Sequence, residues 1–142
     1  MLRATCAAVA LTSASLVGGL ASPALASTDE AVNACGASVI DNETAYVPQD
    51  VRSAQFISFA TTRGTVRVNC GNGQDWGAVH IELKHEVPNW AEASACISKT
   101  IGRGQPTDRP NNKTEYNATI NGVAMVAVTG RNGLITAYPR GT

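Results

Sequence analysis

The feature that most constrains the fold lies near the C-terminus, where two strand-like runs, Tyr116 to Ile120 and Val123 to Val128, flank Asn121-Gly122. Asn-Gly accepts the positive backbone angles of a tight two-residue turn, so the pair reads as a hairpin. A third run, Leu134 to Tyr138, follows a loop containing Arg131-Asn132-Gly133. Residues 114–138 are therefore expected to form a three-stranded antiparallel meander. A meander must bury one face against another layer. Trp90 to Ile101 supplies one: Asn89 can cap a helix, Ala91, Ala93 and Ala95 favour it, and Gly102 or Gly104 can stop it. The fold class expected is α+β, a small single domain with an N-terminal helical or irregular part and a C-terminal antiparallel β-meander.

Further upstream, Phe56 to Phe59 and Thr65 to Val68 read as two strands around Arg63-Gly64, and Gly71 to Asp75 as a loop. From Ser27 to about Asp50 the chain is acidic and polar, and reads as a loose lead-in or short helix with Cys35 as its tether. Residues 1–26 have the plan of a cleaved secretory signal: Arg3 at the start, an uncharged apolar stretch from Ala4 to Leu20, and Ala24-Leu25-Ala26 before the cut. This places one domain, residues 27–142, outside the cytoplasm, without stable membrane association. Cys35, Cys70 and Cys96 remain after cleavage. An oxidising compartment favours one pair among the three, with the odd cysteine a buried apolar residue in the segment around Cys96. Charge is uneven, with four Lys/Arg against nine Asp/Glu over residues 27–95 and six against two over residues 96–142. Bulk charge is too small to bind nucleic acid unaided, but the basic second half suits an anionic ligand.

Both histidines, His80 and His85, fall in the stretch Ala78-Val79-His80-Ile81-Glu82-Leu83-Lys84-His85. As a strand it would put His80, Glu82 and Lys84 on one face; as a helix it would pair His80 with Lys84 at i and i+4. In either case an imidazole that can titrate near neutral pH neighbours an ammonium that can face a phosphate. Thr136 and Tyr138, two apart in the last strand, turn their hydroxyls to one face and can donate to an oxyanion. Nothing in this set calls for a metal or another cofactor.

The pattern His80-Ile81-x-x-Lys84-His85, followed by a helical stretch and the terminal Leu134-Ile135-Thr136-Ala137-Tyr138-Pro139, resembles the small bacterial ribonuclease toxin domains of the barnase, EndoU, colicin and RelE fold group. It is also similar to the ribonuclease A-like tips of contact-dependent inhibition toxins. The likeness covers about residues 76–140. It implies a metal-independent endoribonuclease that cuts RNA by 2′-hydroxyl transphosphorylation, with His80, Lys84, His85, Thr136 and Tyr138 as catalytic residues. It further implies RNA as substrate and, for a toxin, an immunity or inhibitor protein as partner. Lys99 and Arg103 have no counterpart in the motif; their place at the end of the expected helix makes them candidates for substrate binding. A reading from another class is a non-catalytic extracellular binding or inhibitor domain, which would not need His80, Lys84, Thr136 and Tyr138 together.

Overall fold

A computed structural model describes residues 29–140 apart from 86 and 88. The signal expected over residues 1–26 lies outside them. The chain is a small α+β domain: a short helix α1 (Glu30–Ala34), two short strands β1 (Ser38–Val39) and β2 (Ala45–Tyr46), a hairpin of β3 (Gln55–Thr61) and β4 (Gly64–Asn69), helices α2 (Ala78–Lys84) and α3 (Trp90–Arg103), and strands β5 (Gln105–Arg109), β6 (Lys113–Ile120), β7 (Val123–Gly130) and β8 (Gly133–Pro139).

The C-terminal sheet is antiparallel in the order β5-β6-β7-β8, one strand more than the three expected. Asn121 and Gly122 both have positive φ, 52° and 82°, and join Ile120 to Val123 as the turn chemistry requires. The added strand β5 is exposed along its whole length and contains Pro106, which suits an edge. Its turn is made by Asn111 and Asn112, also at positive φ.

Strand alternation gives the sheet two faces. Tyr116, Ala118, Ile120, Met125, Ala127 and Ala137 face the core, where Ile97 and Ile101 of α3 and Val79 and Ile81 of α2 pack with them. The opposite face carries Glu115 and Asn117 of β6, Val126 and Val128 of β7, and Thr136 and Tyr138 of β8, aligned by the cross-strand pairs Glu115–Val128–Thr136 and Asn117–Val126–Tyr138. Helix α3 begins as expected, with the Asn89 side chain accepting from the Glu92 N–H, but it runs through Arg103 to a cap at Gly104.

The N-terminal segment is held by more than Cys35. A Cys35–Cys70 disulfide ties it to the end of β4, and the Glu82 carboxylate, 2% exposed, accepts from the N–H groups of Ala31 and Val32 and from the Trp90 indole. The Glu30 carboxylate accepts from the Trp90 N–H. Cys96, expected to be the odd thiol, is buried at the core side of α3, but no described cysteine is free. None of the described helices is long and apolar enough to cross a membrane.

Candidate functional site

Helix α2 settles the ambiguity of the histidine stretch. Gly77, just before it, donates its N–H to the Ile135 carbonyl, which anchors the helix beside the free edge of β8. His80 then projects to the outer side of β8, where its Nε2 lies 3.2 Å from the Thr136 hydroxyl. His85, which follows the last residue of the helix, reaches the same oxygen with its own Nε2 at 3.3 Å. One hydroxyl thus bridges two imidazoles. The rings meet edge to face at 5.4 Å, and His85 stacks on Tyr138 at 5.3 Å with 19° between the planes.

Threonine has one proton to donate and lone pairs to accept, so the bridge is satisfied when one ring is protonated at Nε2 and the other is bare there. Nδ1 of His80 is buried without a hydrogen-bond partner, and the Gln74 carbonyl faces the ring closely enough to raise its pKa without forming a bond of normal geometry. With a proton on His80 Nδ1, its Nε2 accepts from Thr136 and His85 donates from Nε2; the opposite tautomers exchange the two roles.

Burial dominates both titrations. It lowers the His80 pKa against the upward pull of Gln74 and Asp75. It brings His85 down to about 4, with the charges of His80 and Lys84 acting in the same direction. Both rings are therefore neutral at pH 7, and one is a base with a lone pair held in a hydrogen-bonded chain.

The other expected residues divide. Lys84 is exposed and paired with the Glu43 carboxylate at 2.9 Å rather than with the hydroxyls, although its charge still acts on both rings. Lys99 and Arg103 are exposed on α3, which packs on the core face of the sheet, so the fold does not bring them to the histidines. No described group of three His, Cys, Asp or Glu side chains could hold a metal ion.

A second polar cluster shares the outer face and was not singled out from the sequence. Glu115 pairs with Arg109 and Arg140 at 3.1 Å each, and Arg140 also bonds Asn117. Hydrogen bonds from Asn117 and Arg109 hold the Glu115 carboxyl below the usual range. Arg140 follows Tyr138 by two residues on the same strand line, roughly 7 Å along the chain. Strand alternation could have found Arg140, since it continues the Thr136–Tyr138 face; Glu115 needed the register with β7 and β8. Comparison with protein-family models, curated proteins and solved structures finds no match.

Proposed function

We propose that the protein is a secreted, metal-independent endoribonuclease whose reaction centre is the His80–Thr136–His85–Tyr138 cluster. The observation that carries the reading is the single Thr136 hydroxyl within hydrogen-bond distance of both histidines. Acid–base catalysis on a phosphodiester needs one proton removed and one delivered, and a neutral imidazole pair joined by a hydroxyl can do both.

In this reading His85, the less buried ring, takes the proton of a ribose 2′-hydroxyl. The 2′-oxygen bonds to the adjacent phosphorus as the bond from phosphorus to the 5′-oxygen breaks, and the leaving oxygen receives the proton that the imidazole pair had taken. A 2′,3′-cyclic phosphate and a free 5′-hydroxyl result. His80, with both ring nitrogens turned inward, orients Thr136 and shares the proton through it. Tyr138 supports the His85 ring by stacking and offers its hydroxyl to a phosphate oxygen. Arg140 and Lys84 supply the positive charge that a phosphate needs; each must exchange part of its carboxylate pairing for the substrate.

Single-stranded RNA incubated with the purified protein and its variants tests this. His85→Ala and His80→Ala should each lose about a hundredfold or more in cleavage while remaining folded. Thr136→Val should lose less, and Tyr138→Phe, which keeps the stacked ring, less again. Full activity in both histidine variants would remove the cluster from the chemistry.

A further inference from the structure

A groove with a volume of about 580 Å³ opens between the β3–β4 hairpin and the β7–β8 turn. Arg63, Arg67, Arg131, Asn69, Asn132 and Tyr116 are in its wall, and none of its described lining residues is acidic. Two of its cations are already positioned by the fold. Arg63 donates to the carbonyls of Ile101 and Gly104 at the end of α3 and lies over the Tyr116 ring, whereas Arg67 donates to the Asn69 side chain. None of these partners carries a negative charge, so the groove keeps its excess. Arg131, at the exposed turn, adds a third guanidinium.

The wall is rigid at the point where the two parts meet. Asn69, 4% exposed, donates to the Asn132 carbonyl. Gly133 has φ +104° and lies so close to β4 that a Cβ there would sit 2.3 Å from the Arg67 carbonyl oxygen. A side chain at position 133 would force the hairpin and the turn apart.

The same turn forms part of a second cavity of about 260 Å³, lined by Trp76, Lys113, Arg131 and Leu134, with Asp75 the one carboxylate among its described lining residues. Gly130, Arg131, Asn132 and Gly133 line both cavities, so the two adjoin at the β7–β8 turn. Ile135, the residue before Thr136, also lines this second cavity. A half-buried indole beside a line of cations, leading toward a hydrogen-bonded pair of imidazoles, combines what a single nucleic-acid strand uses: charge for the backbone and a flat ring for a base.

We propose that these two cavities, adjoining at the β7–β8 turn, bind single-stranded RNA next to the cut bond, with a base on Trp76 and the adjoining phosphates on Arg131 and Arg67. The proposal rests on the ribonuclease reading for its substrate and extends it by fixing the strandedness and path. It implies that long single strands are cut faster than dinucleotides, and that paired RNA, whose bases are stacked on each other, is a poor substrate.

The test uses a short 2′-O-methyl oligoribonucleotide, which has no free 2′-hydroxyl and cannot be cut, with binding followed by fluorescence anisotropy at several salt concentrations. Arg131→Gln and Arg67→Gln should each weaken binding and lower the slope of log affinity against log salt by about 0.7. Trp76→Ala should cost about tenfold and leave that slope unchanged. Binding that is absent in the folded protein, or unaltered in all three variants, overturns the proposal. So does equal binding of a sulfated polysaccharide with no dependence on Trp76, which would identify the groove as a general polyanion site. The two claims fail separately. Tight, Trp76-dependent binding without cleavage of ordinary RNA would sink the ribonuclease reading and leave the groove, whereas cleavage with no advantage of long strands over dinucleotides would do the reverse.

Discussion

Replacing Glu82 by alanine should damage the fold more than its place in a polar-looking stretch suggests. The carboxylate is almost fully buried and takes three hydrogen bonds, from Ala31 N–H at 2.7 Å, Val32 N–H at 3.0 Å and Trp90 Nε1 at 2.9 Å. Truncation leaves all three donors without a partner. At about 1–3 kcal/mol for each orphaned buried donor the gross loss is roughly 3–9 kcal/mol. Part is returned because a buried carboxylate is itself costly, as the upward shift of its pKa by burial indicates. A net loss of about 3 kcal/mol remains, a large share of the roughly 5–15 kcal/mol of a whole domain. Glu82→Gln should cost about half as much: its carbonyl can keep the two donors that meet Oε1, but its NH2 faces the Val32 N–H. Urea titrations of wild type, Glu82→Ala and Glu82→Gln measure these differences, and Trp90→Phe isolates the indole bond while keeping an aromatic ring near Phe56. A loss below about 1 kcal/mol for Glu82→Ala would refute the argument that this carboxylate ties α1 to α2 and α3.

Other outcomes follow from the same geometry. Because the folded pKa values of His80 and His85 lie below 6.5, the folded state disfavours protonation; stability present above about pH 6.5 should fall as the pH drops toward the His85 value of about 4, and His85→Asn should flatten that limb of a stability–pH curve. Glu82 acts in the opposite sense, since a raised carboxylate pKa removes stability as pH rises through it. Replacing Cys35 and Cys70 together by serine opens a crosslink spanning 35 positions and should lower stability by about 4 kcal/mol on the chain-entropy estimate, read by chemical denaturation. Intact-mass measurement on secreted protein should give a chain starting at or within a few residues of Ser27. Lys84→Ala should change stability by less than about 1 kcal/mol, as its partner Glu43 is exposed, so a loss of RNA cleavage in that variant reports on the reaction.

How legible each part was depended on whether its signal was local. The meander was readable because β6, β7 and β8 alternate between a packed and an outer face, and because Asn121-Gly122 names its turn. Strand β5 was not, since every residue in it is exposed and it carries Pro106; the Asn111-Asn112 pair was the clue, as asparagine tolerates the left-handed region. Helix α2 could not be told from a strand over seven residues buried on nearly every side, including His80 and Glu82. Its charged residues part for the same reason: Glu82 points inward to the Ala31 and Val32 N–H groups about fifty positions away, and Lys84 turns out to Glu43. The meeting of His80 with Thr136 and Tyr138's place beside them were within reach of strand alternation, whereas the bond from His85 to the same hydroxyl depends on where α2 ends against β8. Lys99 and Arg103 lie away from the histidines because a helix that packs on a sheet's core face presents its polar side away from the other face.

The most direct measurement is the chemistry of the ends. Purified protein is incubated with single-stranded RNA in the presence of a metal chelator, and the fragments are analysed by mass spectrometry. The account predicts cleavage that leaves 2′,3′-cyclic phosphate and 5′-hydroxyl termini, lost when His85 and His80 are replaced by alanine in folded protein. Intact RNA after prolonged incubation with folded wild-type protein, or cleavage undiminished by the replacement of both histidines, would contradict it.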